Sequence, residues 1–312
     1  MPAAERTFRA MGSDCHVVTV ADDVHAAQEF LDLAVERVEL LEQAWSRFRA
    51  SSELTHLNLA AGTGPIAVSP DLFLLVSHMV RAWSDTEGRF DPTILASLVA
   101  LGYDKDFRAV AARPFATSID GIAVAPGMSG VTLDPTALTV DLPAGVGLDP
   151  GAIGKGLGAD LIADELTRAG LSGVLVNLGG DLAFAGRADN DRPWAIGVED
   201  ERRAVTHPDR LLRVVEFPSD TATTGVATST TLKRRWAQGR RHHVIDPRTG
   251  SMSVSDLVQV TIVADRAWRA EVLATSALLM SADDAAVWLR AVGVPAILLT
   301  ADRSIIAMEE AA

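Results

Sequence analysis

The sequence predicts a mixed α/β fold of the α+β kind, in which helices accompany a largely antiparallel mixed sheet. Residues 24–45 place apolar side chains three and four positions apart, which is typical of an amphipathic helix. Residues 174–176 and 258–263 form short apolar runs that indicate buried strands. Helical and strand-like segments do not alternate strictly along the chain, so a doubly wound parallel sheet is not expected.

Helices dominate the predicted elements of the N-terminal half. The helix at 24–45 is followed by one that begins at Ser69, carries Pro70 in its first turn and extends to about Thr86. An apolar stretch closes the segment 89–101. The segment 107–130 contains prolines and glycines, and we expect an irregular surface excursion there.

Strands are more frequent in the predicted C-terminal half. Residues 131–142 alternate around an Asp-Pro-Thr turn and predict a β-hairpin, whereas 151–170 begin glycine-rich and become helical. We expect 211–217 and 258–263 to be central strands of the sheet. The remaining predicted elements are strands near 174–176, 184, 194–198, 296–300 and 304–308 and helices at 267–280 and 283–292.

Length, charge and cysteine count exclude several classes of protein. The 312 residues suffice for a sizeable core, and we predict one domain over residues 1–312. The single cysteine, Cys15, excludes an intrachain disulfide framework. The net charge of −13 argues against a protein that mainly binds nucleic acid or an anionic membrane.

Membrane and secretion signals are also lacking in the sequence. No apolar run reaches the ~18 residues that a membrane-spanning helix needs. Residues 1–11 contain no apolar stretch of the kind found in a signal peptide. We therefore expect a soluble, cytoplasmic protein without membrane insertion.

Basic residues concentrate in one stretch of this acidic chain. The stretch can be a solvated loop or helix face, or it can be part of a functional site. Its composition is equally compatible with both interpretations. Its members are Lys233, Arg234, Arg235, Arg240 and Arg241.

A glycine-rich segment, Asp149 to Gly156, precedes a predicted helix that carries Asp160. Small residues allow the backbone to approach a ligand closely, and Lys155 adds charge where helix N–H groups point outward. This combination suits a pyrophosphate. It is not a P-loop, because the glycine spacing differs and no Ser or Thr follows Lys155. The alternative is a glycine-rich turn that only begins the helix.

A second segment, Asn177-Leu178-Gly179-Gly180-Asp181, directly follows a predicted strand. Adjacent glycines permit positive φ and close approach of a ligand. The alternative is a simple hairpin turn.

The third candidate segment runs from His242 to Gly250 and is dense in functional residue types. Adjacent histidines on an extended strand point to opposite faces, so at most one of the two faces a given pocket. A histidine with the Asp246 carboxylate nearby can act as a general base near neutral pH. Arg248 offers a planar guanidinium for phosphate.

The fourth candidate pair, Glu271 and Thr275, lies four residues apart on a predicted helix and therefore shares one face. A carboxylate and a hydroxyl are hard oxygen donors that suit Mg²⁺. The alternative is an acidic residue that favours the helix dipole, with Thr275 in a packing role.

Taken in order, these segments resemble the ApbE family of flavin transferases, also called FAD:protein FMN transferases. The resemblance spans about residues 7–308. The matching segments are Met11-Gly12-Ser13, Ser46-Arg47-Phe48-Arg49, Ser52-Glu53-Leu54, Phe90-Asp91-Pro92-Thr93, Asp149 to Gly156, Asn177 to Asp181, His243 to Gly250 and Ala270 to Thr275.

The resemblance implies a fold, a reaction and roles for particular residues. The fold would be ApbE-like, with two subdomains around a flavin cleft. FMN would pass from FAD to a Thr or Ser hydroxyl of a target flavoprotein, with release of AMP. His243 would deprotonate the acceptor, and Gly154, Glu271 and Thr275 would hold Mg²⁺. Residues implied to bind the flavin nucleotide are Met11, Ser46, Asp91, Thr93, Asp149, Lys155, Asn177, Gly179, Gly180, Asp181, Ser229, Asp246 and Arg248.

Two departures from the family pattern affect these expectations. Glu271 stands where the family has Asp, and its longer side chain favours an ion with looser geometry, such as Mn²⁺, beside Mg²⁺. The block that begins at Ser229 lacks the family's glycine and aromatic residue. Alternative functions are FAD hydrolysis to FMN and AMP, and non-catalytic FAD binding or carriage. We expect a monomer or homodimer.

Overall fold

The computed structural model describes residues 1–113 and 124–308. The helices are α1 (Val24–Trp45), α2 (Glu53–Leu59), α3 (Pro70–Asp85), α4 (Leu95–Ala100), α5 (Phe107–Ala111), α6 (Gly154–Arg168), α7 (Ala267–Ala277) and α8 (Ala282–Val292). The strands are β1 (Ala3–Ala10), β2 (Ser13–Val20), β3 (Ile66–Ala67), β4 (Thr132–Asp134), β5 (Thr139–Asp141), β6 (Gly173–Leu178), β7 (Asp181–Gly186), β8 (Trp194–Glu199), β9 (Leu211–Phe217), β10 (Thr221–Thr230), β11 (Arg235–Trp236), β12 (Arg241–His242), β13 (Leu257–Ala264), β14 (Ala296–Thr300) and β15 (Ile305–Met308).

One large sheet organises the described part of the chain. It has eight strands in the order β1-β2-β6-β7-β10-β13-β14-β15, and all neighbouring pairs are antiparallel. Smaller sheets pair β3-β5-β4, β8-β9 and β11-β12. The predicted mixed fold with long antiparallel stretches is therefore confirmed.

The two faces of the large sheet are covered differently. Val174 and Val176 of β6 belong to the core that packs against α1 and α6. Leu175, between them, belongs to a second core with Trp194 and Ile196 of β8. Because successive strand residues point to opposite faces, the helices cover one face and the β8–β9 hairpin covers the other.

The start of α7 is fixed against α6 by a buried carboxylate. Asp160 accepts hydrogen bonds from the backbone N–H groups of Ala267 at 3.0 Å and Trp268 at 2.9 Å. Gly156 lies so close to this helix start that an added Cβ would stand 2.5 Å from the carbonyl oxygen of Ala267. Burial raises the pKa of Asp160 to about 7. These contacts set the position of Glu271, which lies on α7.

Several predicted elements are confirmed with close boundaries. Helix α1 occupies Val24–Trp45, and its buried side chains follow the predicted apolar spacing. Ser69 caps α3, because its side chain accepts a hydrogen bond from the N–H of Leu72 at 3.2 Å. The hairpin predicted for 131–142 is present as β4 and β5.

Other predictions are corrected by the structure. Residues 211–217 are not a central strand, because β9 pairs with β8 in a separate two-stranded sheet and alternates between partly buried and exposed residues. The predicted irregular segment 107–130 begins with the short helix α5, and its residues 114–123 lie outside the described chain. In the described residues, none of the helices is both long and apolar enough to cross a membrane.

Candidate active site

A cavity of about 1430 Å³ lies where strands β2, β6, β7 and β10 meet the N-terminus of α6 and the side of α7 that carries Glu271 and Thr275. The loop after β10 and the β8–β9 hairpin complete its wall. Most of the residues that the sequence singled out line this cavity. They are Met11, Ser46, Asp91, Asp149, Gly154, Lys155, Asn177, Gly179, Gly180, Asp181, Ser229, His243, Glu271 and Thr275.

Lys155, Asp181 and Glu271 form a buried charged cluster at the cavity wall. The Lys155 ammonium donates to Glu271 Oε1 at 2.8 Å and also contacts the carboxylate of Asp181. Glu271 Oε2 accepts the N–H of Gly156 at 2.8 Å. The cluster joins α6, β7 and α7, which are distant in sequence.

The protonation of this cluster follows from its burial and charges. Desolvation raises the pKa of Glu271 to about 8, and the charge of Asp181 adds to the effect while Lys155 opposes it. Burial alone would lower the pKa of Lys155, but the two carboxylates outweigh it and raise that pKa. Lys155 therefore stays positively charged between two acidic side chains.

Two hydroxyl groups lie near Glu271 in the cavity wall: that of Thr275, one turn further along α7, and that of Ser229 on β10. Thr275 Oγ1 and Ser229 Oγ are 2.8 Å apart and share a hydrogen bond. Together with the carboxylate of Glu271 they are hard oxygen donors, the kind that Mg²⁺ prefers. Among the described residues, no group of three or more His, Cys, Asp or Glu could hold a metal ion by itself. A divalent ion here would therefore need hydroxyl, carbonyl or substrate oxygens as well.

His243 follows β12 and faces the cavity, whereas His242 is absent from the lining. The Nδ1 atom of His243 is buried and has no hydrogen-bond partner in the described structure. Burial, followed by the positive charge of Arg234, lowers the pKa of His243 well below the ordinary value of 6.5. The imidazole is therefore neutral at pH 7 and able to accept a proton.

The expected pairing of His243 with Asp246 is not present. The carboxylate of Asp246 instead accepts from the guanidinium of Arg248, with Nε at 3.0 Å and Nη2 at 2.8 Å. Neither Asp246 nor Arg248 lines the cavity, and the Arg248 side chain is 73% exposed. The structure thus places Arg248 in a local surface ion pair outside the cavity lining.

Thr93 also lies outside the cavity lining, directly behind Asp91. Its hydroxyl donates to Asp91 Oδ1 at 2.6 Å and accepts the N–H of Gly127 at 3.0 Å. Burial raises the pKa of Asp91, and the hydrogen bonds from Thr93 oppose that shift. Thr93 therefore positions a cavity carboxylate instead of facing the cavity.

The Asn177–Asp181 segment is both a hairpin turn and part of the cavity wall. Asn177 Oδ1 accepts the N–H of Gly180 at 2.8 Å, and Gly179 and Gly180 have φ values of 76° and 100°. Left-handed backbone of this kind favours glycine. The turn joins β6 to β7 and delivers Asp181 to Lys155.

Sequence reasoning missed two arginines of the cavity. Arg47 forms a buried ion pair with Asp149, and its guanidinium lies 4.1 Å from the ring centroid of Phe48 and 4.7 Å from that of Tyr103. Arg234 lines the cavity and donates to Ser13 Oγ at 2.9 Å. Arg234 had a signal in the sequence, the cluster of basic residues, but Arg47 had none beyond the family resemblance.

This chain is similar to known proteins along most of its length. The ApbE family model matches residues 11–298. A protein of Treponema pallidum named FAD:protein FMN transferase is 30% identical over 91% of this chain and 80% of its own length. One of the same name from Vibrio cholerae is 27% identical over 86% of this chain and 79% of its own.

Solved structures show the same fold. The crystal structure of an ApbE protein from Thermotoga maritima superposes with a TM-score of 0.84, covers 99% of this chain and 97% of its own, and is 21% identical. The flavin transferase ApbE of Vibrio cholerae gives a TM-score of 0.77 over 99% and 98%, with 23% identity. With the family model matched along nearly its whole length, this chain belongs to the ApbE family.

Proposed function

We propose that this chain is an FAD:protein FMN transferase that moves FMN from FAD to a Ser or Thr hydroxyl of a target flavoprotein and releases AMP. The observation that carries the proposal is one cavity that holds both a neutral histidine with a free ring nitrogen and a buried lysine–carboxylate cluster. The names of the curated relatives support the same reaction.

In this reaction His243 acts as the general base. It takes the proton of the acceptor hydroxyl, whose oxygen forms a bond to the phosphorus on the FMN side of FAD. The bond from that phosphorus to the bridging oxygen breaks, and its electrons leave with AMP. The lowered pKa of His243 keeps its ring unprotonated before the step.

The start of α6 and Lys155 face the diphosphate in this proposal. Gly154 begins the helix and lines the cavity, so the positive end of the helix dipole lies at the cavity wall. Lys155 adds a fixed positive charge beside it. Transfer of a phosphoryl group depends mainly on positioning and electrostatic stabilisation, which these groups supply.

We also propose Mg²⁺ dependence, with Mn²⁺ as a tolerated substitute. The carbonyl of Gly154, the carboxylate of Glu271 and the hydroxyl of Thr275 would hold the ion. When bound, Mg²⁺ would neutralise charge on the diphosphate. The support for this role is that Gly154, Glu271 and Thr275 all line the same cavity.

The decisive experiment incubates the protein with FAD, Mg²⁺ and a candidate flavoprotein, then weighs the flavoprotein and quantifies AMP. We expect a covalent FMN adduct and an equal amount of AMP. Free FMN and AMP without an adduct would instead identify an FAD pyrophosphatase. FAD binding without AMP release would identify a carrier.

Glu271 provides the test of the metal. We expect AMP release by the wild type with Mg²⁺ and an unusually favourable response to Mn²⁺, and a stronger Mg²⁺ preference in Glu271→Asp. Glu271→Ala should lose metal dependence and activity together. A full metal-dependent rate in Glu271→Ala would exclude Glu271 as a ligand.

We propose one domain with two subdomains around the cavity, the large sheet with its helices forming one and the β8–β9 hairpin side the other. The proposed partner is a target flavoprotein, without nucleic acid or membrane insertion, and the location is cytoplasmic. Light scattering would decide between monomer and homodimer.

A further inference from the structure

Arg234 differs from every other lysine and arginine in the described cavity wall. Each of the others forms an ion pair with a carboxylate: Arg9 with Asp14, Arg47 with Asp149, Arg49 with Glu39, Arg89 with Glu87, Lys155 with Glu271 and Asp181, and Lys233 with Glu201. Within the described residues Arg234 has no carboxylate partner, and its side-chain hydrogen bond goes to the neutral hydroxyl of Ser13.

The position of Arg234 is fixed by the loop that carries it. Its backbone is left-handed, with φ of 47°, which is uncommon for a residue other than glycine. The loop is anchored where Trp236 Nε1 and the Arg241 guanidinium both donate to the carbonyl of Leu101, at 2.9 and 2.8 Å. This anchorage, together with the bond to Ser13, directs the guanidinium into the cavity.

Arg234 lies near the groups proposed to act on FAD. It lines the same cavity as Lys155 and His243, and its positive charge opposes the rise in the pKa of Lys155 and contributes to the lowered pKa of His243. Lys155 already contacts two acidic side chains, Asp181 and Glu271. Arg234 is therefore the positive charge of this wall that the described protein leaves uncompensated.

We propose that Arg234 binds the diphosphate of FAD, and this inference rests on the function proposed above. A guanidinium presents several N–H donors in one plane and matches phosphate oxygens in bidentate geometry. Ser13 holds it in place before the nucleotide arrives. Arg234 thus takes the role that the sequence assigned to Arg248.

The test compares FAD and riboflavin binding to the full chain by flavin fluorescence. The variants are Arg234→Asn, which tolerates the left-handed backbone, and Arg234→Lys, which retains the charge. The matched control is Arg235→Asn, since Arg235 is exposed, has the same charge and lies outside the cavity lining. Circular dichroism confirms folding of each variant.

We expect Arg234→Asn to weaken FAD binding by about ten- to a hundredfold, as loss of a hydrogen-bonded charge does, and to leave riboflavin within about twofold. Arg234→Lys should fall between it and the wild type, and Arg235→Asn should match the wild type. Unchanged FAD affinity in Arg234→Asn, or an equal loss for FAD and riboflavin, would overturn the inference.

Binding and transfer can fail separately. If the wild type binds FAD selectively through Arg234 but forms no FMN adduct, the transfer proposal fails and this inference stands. If adducts form while Arg234→Asn binds FAD normally, this inference fails and the transfer proposal stands. Should Arg234→Asn not fold, Arg234→Lys still decides, because a lysine without the planar guanidinium should bind FAD more weakly than the wild type.

Discussion

The two walls of the cavity differ in how far their polar groups are satisfied. The ion-pair wall, formed by Lys155, Asp181 and Glu271, lies on regular helices and strands, and its charges contact one another. The loop wall, residues 231–245, holds Arg234 and His243. Among the described residues, Arg234 has no carboxylate partner and the Nδ1 atom of His243 has no hydrogen-bond partner.

This difference indicates that the ion-pair wall positions groups, whereas the loop wall carries the groups that react with or bind the substrate. A buried charge or polar group without a partner destabilises a folded protein, so such groups persist where a ligand supplies the missing partner. The ion-pair wall is complete without substrate and fixes geometry. The loop wall has a base and a cation available for a phosphate and a hydroxyl.

The largest expected effect concerns the base of the loop wall. His243→Ala should reduce FMN transfer by about 10²- to 10⁴-fold while FAD binding stays within a few fold, because general-base assistance acts on the step and not on ground-state binding. Single-turnover transfer and flavin titration measure the two quantities. His242→Ala is the control, since His242 does not line the cavity; a larger loss there would show that the wrong histidine was chosen.

A substitution beside the ion-pair wall should change the stability of the fold rather than its chemistry. Gly156→Ala would place a Cβ 2.5 Å from the backbone of Ala267, forcing α6 and α7 apart and lowering the free energy of unfolding by about 1–3 kcal/mol. Urea unfolding measures it. In the control Gly158→Ala, the new Cβ meets the Leu178 side-chain end at 3.3 Å, which can move. Equal stability of both variants would contradict the close packing.

The pH dependence of kcat/KM should show the environment of His243. Because burial and the charge of Arg234 lower its pKa, His243 stays unprotonated as pH falls through 6.5, and activity should decline only at lower pH. Arg234→Asn removes one of the positive charges and should move the decline toward higher pH. A wild-type decline centred at or above 6.5 would contradict the lowered pKa.

The smallest effect is expected outside both walls. Arg248→Ala removes an exposed ion pair with Asp246, and such pairs contribute about 0–1 kcal/mol. FAD affinity should remain within about twofold, measured beside Arg234→Asn. A tenfold loss would return Arg248 to the phosphate site and weaken the contrast between the walls.

Local pattern was sufficient for much of the fold. Helix α1 is visible from its apolar spacing, and α3 from its cap at Ser69. Strand β10 was missed because it is rich in threonine and lacks an apolar pattern, although it lies inside the large sheet and pairs Thr228 with Thr261 through their hydroxyls at 2.8 Å. Strands β1 and β2 were also missed.

The candidate site was predictable where one segment contains the residues, and less so where the fold joins distant ones. Arg248 lies outside the cavity lining because its acidic partner, Asp246, is two residues away and pairs with it locally. Arg234 could not be assigned from sequence, since its contact with Ser13 spans 221 residues. Family resemblance identified His243, but the absence of a bond to its Nδ1 required the structure.

The single thiol of the chain provides a kinetic probe of this architecture. Cys15 is 1% exposed on β2, opposite Leu178 of β6, and burial raises its pKa to about 11. Only the thiolate reacts with alkylating reagents, so the folded protein is doubly protected, by burial and by protonation. Labelling therefore requires the core between β2 and the helices to open locally, and the labelling rate measures how often it opens. A nucleotide that bridges the strands carrying Ser13 and Asp181 should lower the rate at which Cys15 is labelled.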